Sequence, residues 1–247
     1  MCTVTLHRAP NTLLVTMNRD EALTRGPEVP PKRHVDGGVV WLAPHDSDRG
    51  GTWMGVNQFG VAACLLNAYR PDEDLRPDPN NPLPSRGEIV PNVLRRGSAE
   101  SVGAFLESEF DPSRFPSFTL LVATLDHANS YEWFRDGGWT IRELPTPWHM
   151  QTSSGWDTTD VTAWRSGRFK AWLDGGSPMV ESAPTFHFLL EPGAEERSPL
   201  MKRSWSATRS VTQVSVDAES RDVVMRYWAD PSPGGGSPSA VCEMELR

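Results

Sequence analysis

The sequence predicts an α+β fold in which two β-sheets pack together beneath helical layers. Strand-like runs occupy both halves of the chain, a block of helical periodicity separates them, and one more helix precedes the last hairpin. That order suits stacked layers better than a parallel array, in which strands and helices alternate one by one. The 247 residues include 38% hydrophobic and 23% charged side chains and ten Trp, a composition that supports one large core. We expect a single domain over residues 1–230 and a Pro/Gly/Ser-rich flexible tail over 231–247.

Each element has its own warrant. Residues 3–7 and 13–17 are rich in β-branched and apolar side chains and are joined by Arg8-Ala9-Pro10-Asn11, so that Asn18-Arg19-Asp20-Glu21 caps the second strand. Residues 39–42 give a third strand. Residues 52–57 and 61–66 form a hairpin across Gln58-Phe59-Gly60, entered by the turn Gly50-Gly51. The unbroken apolar run Val61-Ala62-Ala63-Cys64-Leu65-Leu66 is that of a strand buried on both faces. Residues 69–84, dense in Pro, Asp and Asn, read as a long surface loop and a lid candidate.

Ser85-Arg86-Gly87-Glu88 has capping-box spacing for a helix start, with Pro91 kinking or restarting that helix. Ser98 caps a second helix over 99–109, whose Val102, Phe105, Leu106 and Phe110 make one apolar face. Strands follow at 119–125, 131–135, 139–144 and 149–153, with Asp136-Gly137-Gly138 as a turn between two of them. Residues 160–173 read as a helix anchored by Val161, Trp164, Phe169 and Trp172, and 210–216 and 223–228 as the closing strands.

Several functions are disfavoured by composition. A net charge of −8 with scattered basic residues argues against a nucleic-acid surface. Three widely spaced cysteines, Cys2, Cys64 and Cys242, are no disulfide framework, and a reducing compartment fits them better. The start of the chain lacks a secretory h-region, and no apolar run reaches the roughly 18 residues that span a bilayer, so the expectation is a cytoplasmic protein without an integral membrane segment. The Cys and His spacings imply no metal, and no cofactor is expected.

Chemistry concentrates in a set of short motifs. Met1-Cys2-Thr3, Asn18-Arg19-Asp20-Glu21, Gly50-Gly51-Thr52-Trp53-Met54-Gly55, residues 60–67, Ser85-Arg86-Gly87 and Thr208-Arg209-Ser210 occur in the order of the NRDE family, also called the transport and Golgi organisation 2 family. The chain resembles that family over most of its length. The family is in turn similar to the N-terminal nucleophile (Ntn) hydrolases, which implies a four-layer αββα sandwich. Within that group the nearest likeness is to the cysteine-dependent amide hydrolases: bile salt hydrolase, penicillin V acylase and acid ceramidase. The resemblance implies Cys2 as nucleophile, Arg19 and Asp20 as its neighbours, Asn67 as oxyanion donor and Arg209 as a late arginine of the site. Asn18, Trp53, Ser154 and Trp156 stand as substrate-binding candidates, the two tryptophans as walls of an acyl pocket. One departure is visible: Gln151-Thr152-Ser153-Ser154 carries Ser where such hydrolases place a second Asn.

The implied chemistry has a physical rationale. Methionine aminopeptidases remove Met1 when the next residue is small, which would give Cys2 a thiol and a free α-amine together. A thiol titrating near ~8.5 can pass its proton to a neutral amine titrating near ~8. A guanidinium at Arg19 favours thiolate, the Asp20 carboxylate orients the amine, and an Asn67 amide donates to the developing oxyanion, a contribution of roughly 3–4 kcal/mol.

Blander readings stand beside these. Arg19 and Asp20 read equally as a pair tying strands together, Asn67 as a strand-end cap, Cys64 as core packing, and His149 as a structural histidine rather than a dyad partner. Two functions follow from the resemblance. One is an Ntn-type cysteine hydrolase cleaving a non-peptide C–N bond of a small amide or lipid-like molecule through a thioester. The other is a non-catalytic protein of the same fold that binds or handles a lipid, acyl-CoA or haem-like ligand.

Overall fold

The computed structural model describes residues 2–69, 83–135, 137–145, 147–180 and 183–247. Strands Cys2–Ala9 (β1) and Thr12–Ala22 (β2) form the first hairpin, followed by Glu28–Asp36 (β3), Val39–Asp46 (β4), Met54–Asn57 (β5) and Ala62–Asn67 (β6). A 3₁₀ turn, Arg86–Glu88, leads into helices Ile89–Leu94 (α1) and Ala99–Ser108 (α2). Next come Phe118–Ala123 (β7), Ala128–Phe134 (β8), Gly138–Glu143 (β9), Trp148–Ser153 (β10) and the helix Thr158–Asp174 (α3). Short strands Met179–Val180 (β11) and Ala183–Pro184 (β12), the 3₁₀ turn Thr185–Phe188, and strands Ser206–Asp217 (β13), Asp222–Ala229 (β14) and Ala240–Glu245 (β15) complete the order.

Two antiparallel sheets result, one with the order β10-β1-β2-β13-β14-β15 and one running β3 to β9 in sequence order. Their facing sides meet through Val4, Leu6, Val15 and Met17 from the first and Leu42, Met54, Cys64 and Leu66 from the second. The outer face of the second sheet, including Ala63, Leu65 and Val122, lies under Ile89, Val93, Val102 and Phe105 of α1 and α2. Phe169 and Trp172 of α3 cover the first sheet with Phe186, Trp148 and Met150. The layers are therefore α, β, β, α. On β6 Ala62, Cys64 and Leu66 face the inter-sheet core and Ala63 and Leu65 face the helices, which is why this strand is apolar up to Leu66.

Several expectations change in detail. The Asn18-Arg19-Asp20-Glu21 tetrad lies within β2 rather than capping it, because β13 continues to pair with β2 up to Ala22. The segment expected as a flexible tail contains β15, which pairs with β14 and places Met244 in the core at 7% exposure. Its apolar alternation is short and follows a Pro/Gly stretch, so composition hides it. Strand β3 carries Pro30 and Pro31, which argue against a strand, and the sheet accommodates them at an edge with a register shift between Val29 and Lys32.

The helix starts also differ. Ser85 accepts from the Gly87 amide and opens a 3₁₀ turn, whereas the reciprocal cap forms at Ser98 with Ser101. Pro91 sits in the first turn of α1, where its missing N–H leaves no bond unmade. In α3 the buried stripe is Val161, Arg165, Phe169 and Trp172, and Trp164 lies beside it, half-buried. The surface loop read over residues 69–84 falls largely outside the described residues, as does Asp136 of the expected turn. Among the described residues, no helix is long and apolar enough to cross a membrane.

One glycine contact joins two motifs that the sequence keeps apart. Gly51 has φ +78°, and a Cβ there would lie 2.3 Å from the Gly87 carbonyl oxygen. Only glycine tolerates both the backbone conformation and that approach. Thr52 donates its amide to the same carbonyl at 2.9 Å, locking the entry to β5 against the start of the helical block.

Candidate active site

Cys2 opens β1 in the middle of three strands, opposite Arg19 of β2 on one side and Ser153 of β10 on the other. Arg19 is in turn opposite Ser210 of β13. Directly opposed residues of an antiparallel pair share a face, so Ser153, Cys2, Arg19 and Ser210 form one row on the side facing the second sheet. Cys2 is buried among the inter-sheet core residues, Trp53 and Cys64 included.

Electrostatics at the thiol are opposed. Burial pushes the Cys2 thiol above its ordinary value and the Asp20 carboxylate adds to this, while the positive chain terminus, the Asp20 backbone N–H and Arg19 act the other way. The net direction is upward, so the resting thiol is protonated. Cys64 is raised as well, by its burial and by Cys2, and its place in the apolar core is that of a packing residue.

Arg19 is held by three carboxylates. Its Nη1 donates to Glu28 Oε1 at 2.5 Å, and its Nη2 to Asp46 Oδ2 at 3.0 Å and Glu21 Oε2 at 3.2 Å. The guanidinium also lies over the Trp53 ring, 4.5 Å from its centroid. Burial alone would lower its pKa, but Glu28, Glu21, Cys2 and Asp46 outweigh burial and raise it. Glu28 is itself tied down by the Tyr227 hydroxyl at 2.7 Å.

The other two residues of the tetrad point to the opposite face, as strand alternation requires. Asp20 Oδ1 accepts from Thr208 Oγ1 at 2.6 Å, and Oδ2 from Arg165 Nη2 at 3.3 Å. Arg165, fully buried, also donates to Thr3 Oγ1, Thr152 Oγ1 and the carbonyls of Arg197 and Ser198. Asn18 donates to the His187 and Pro199 carbonyls, each at 2.9 Å, and its Oδ1 meets His187 Nδ1. His187 Nε2 is 2.7 Å from Thr5 Oγ1, so a neutral ring protonated at Nδ1 satisfies every partner. Asn18, expected to meet substrate, thus holds the segment 187–199 onto the sheet.

Asn67 ends β6 and donates to the Tyr69 hydroxyl at 2.8 Å. The Tyr69 ring lies against Gly155, where a Cβ would approach it to 3.0 Å, so Asn67 is linked to the turn that follows β10. Ser154, the other residue expected at substrate, is buried in that turn. Its hydroxyl bonds the Trp156 carbonyl, and its own carbonyl accepts from Thr158 Oγ1 at 2.6 Å. Trp156 is 38% exposed, edge-on to Trp205 and beneath the Arg203 guanidinium. Arg209 occupies the bulge of β13 between Thr208 and Ser210, with its Nε 3.8 Å from Asp230 Oδ1.

The structure therefore brings Cys2, Arg19 and Trp53 together and sends the Asp20 carboxylate and Asn18 into the scaffold. Sequence reasoning missed Glu28 and Asp46, which sit on a proline-bearing strand and at a strand end. It also missed Arg165, although an Arg at i+4 from Val161 and i−4 from Phe169 interrupts an otherwise apolar stripe and could have been read. Among the described residues, no group of three or more His, Cys, Asp and Glu side chains is arranged to hold a metal ion.

Residues 1–191 match the Transport and Golgi organisation 2 family. The chain belongs to that family. No curated protein matches it in sequence. Among solved structures it is similar to a mutant of conjugated bile acid hydrolase from Clostridium perfringens, with TM-score 0.54, 11% identity and coverage of 100% of this chain and 92% of that one. It is also similar to penicillin V acylase from Agrobacterium tumefaciens, with TM-score 0.52, 15% identity and the same coverage. A third is the N-acylethanolamine-hydrolyzing acid amidase orthologue of Caenorhabditis elegans, with TM-score 0.50, 12% identity and coverage of 88% and 93%. At these identities the likeness establishes the fold: this Transport and Golgi organisation 2 family member has the αββα architecture of the Ntn hydrolases.

Proposed function

We propose that the protein is an Ntn-type cysteine hydrolase that cleaves the C–N bond of a small, non-peptide amide through a thioester on Cys2. The observation that carries this reading is the position of Cys2, first residue of a central strand and opposite Arg19 on the face between the sheets. The three solved neighbours are named for a conjugated bile acid, penicillin V and an N-acylethanolamine, and they support an amide-bearing acyl compound as the substrate class.

With Met1 removed, the α-amine of Cys2 takes the thiol proton and Sγ attacks the amide carbon. A thiol held protonated by burial suits this order, because the nucleophile is generated when the amine accepts the proton. The tetrahedral oxyanion is met by Asn67, whose amide has two N–H groups, one of them engaged by Tyr69. Collapse breaks the C–N bond, the amine leaves with the proton, and water hydrolyses the thioester. Arg19, opposite Cys2 and fixed by its carboxylates, favours the thiolate, Trp53 walls the acyl group, Trp156 flanks the entrance, and Arg209 holds a polar end of the substrate.

Intact-mass measurement of the untagged protein is expected to find Met1 absent, and an electrophilic thiol probe is expected to label Cys2 ahead of Cys64 and Cys242. Cys2→Ser should then abolish turnover of an N-acyl amide identified by screening. Retained Met1 with an unreactive Cys2 would sink the hydrolase reading. Titration with acyl-CoA or haem would then test the protein as a binding member of its family.

A further inference from the structure

Cys2 has a second neighbour in its row. Ser153 of β10 lies directly opposite it, so the two side chains point to the same face with Cβ atoms about 4.5–5.5 Å apart. The Ser153 hydroxyl is buried and has no hydrogen-bond partner. The hydroxyls on either side of it are fully engaged in holding the fold: Thr152 Oγ1 with Thr3 Oγ1 at 2.9 Å and the Cys2 carbonyl at 3.2 Å, and Ser154 Oγ with the Trp156 carbonyl. Buried polar groups are rarely left unpaired without cause, and a group that a ligand completes is one such cause. The orphan hydroxyl is thus the one on the sulfur's side of the strand.

We propose that the Ser153 hydroxyl donates a hydrogen bond to the carbonyl oxygen of the acyl group attacked by Cys2, forming an oxyanion hole together with Asn67. The inference rests on the nucleophile reading of Cys2 and adds a residue to it. A serine hydroxyl is a single rotatable donor held close to the backbone, so it reaches an oxygen seated near β10. An aliphatic side chain of the same shape offers that oxygen nothing.

The test separates acylation from alkylation. With p-nitrophenyl acetate, Sγ bonds to the carbonyl carbon, the bond to the nitrophenyl oxygen breaks, p-nitrophenolate leaves with the electron pair, and the thiol proton passes to the Cys2 amine. Negative charge appears on the carbonyl oxygen on the way. With iodoacetamide, Sγ displaces iodide at a saturated carbon and no oxyanion forms. The untagged chain is compared with Ser153→Ala, Ser153→Thr and Ser153→Val by the burst of p-nitrophenolate and by the rate of Cys2 alkylation.

In Ser153→Ala the acylation rate is expected to fall about 10²-fold, as for loss of one oxyanion donor, with alkylation nearly unchanged. Thr should retain most of the acylation rate and Val should not, and that pair carries the comparison at constant shape if the Ala variant proves unstable. Acylation unchanged in both Ala and Val would overturn the proposal. So would a proportionate fall in acylation and alkylation, which would assign the hydroxyl to the thiolate or to packing. A wild-type Cys2 that neither acylates nor alkylates would remove the nucleophile reading itself, and this inference with it.

Discussion

Asp20 and Arg165 form an ion pair with no solvent exposure at either side chain. Arg165 also satisfies two hydroxyls and two carbonyls, so its removal strands a buried carboxylate and leaves several acceptors short of a donor. Breaking one partner of such a pair costs about 3–5 kcal/mol. Arg165→Met is therefore expected to lower unfolding free energy by that amount in urea, and a loss below ~1 kcal/mol would contradict the network described here. His187 gives a second expectation at this scale. Burial, with Arg165 adding to it, lowers its pKa from 6.5 to about 3. Between those values the unfolded chain binds a proton that the folded chain does not, so this contribution is fully present above pH 6.5 and is lost as pH falls.

The loss reaches about 2 kcal/mol by pH 5. His7, His34 and His149 shift in the same direction through partial burial, so the comparison of wild type with His187→Gln isolates the term. The variant should show the shallower decline in melting temperature between pH 7 and pH 5; equal slopes would refute the assignment. Asp46 lies outside this window. Its pKa is depressed because hydrogen bonds from Arg49 and Asp48 and the charges of Arg19 and Arg25 outweigh its burial, and its contribution is lost only below the ordinary carboxylate range. At the residue scale, the nature of Cys2 and Arg19 was legible from their types and order. The partners of Arg19 were not, because Glu28 and Asp46 reach it from a different sheet.

At the scale of elements, β2 shows how one motif serves two purposes. Arg19 and Glu21 face the inter-sheet side with Cys2, and Asn18 and Asp20 face the helical side, where they fasten the segment 187–199 and α3. A tetrad read as the cap of a strand has no faces; read as part of the strand it has two. The hairpins, α2 and the doubly buried β6 were legible because period and turn chemistry agree there. Strand β15 was not, since six residues behind a Pro/Gly stretch leave little pattern to find. It nevertheless buries Met244, and Cys242 and Leu246 pack against the same core. Truncation after Ser239 should cost at least about 3 kcal/mol and lower the melting temperature by roughly 6–12 °C. A melt unchanged by that deletion would restore the reading of a flexible tail.

For the whole molecule, the sandwich explains why the site is where it is. The row Ser153, Cys2, Arg19 and Ser210 crosses four strands whose order, β10-β1-β2-β13, brings residues from both ends of the chain side by side. Sequence order alone gives no hint of this adjacency, although stacked sheets under helices follow from the order of elements and the four-layer count from the family resemblance. The packing of the two sheets on one another buries Cys2 in the core between them, and that burial raises its thiol.

The start of β1 has a practical consequence for anyone preparing the protein. Cys2 is already paired on both sides as the strand begins, so residues fused ahead of it leave the sheet intact and convert its nitrogen from an amine to an amide. An amino-terminal affinity tag would yield a well-folded sample in which the proton acceptor proposed for the thiol no longer exists. Purification handles therefore belong elsewhere, or must be cut away to leave Cys2 first.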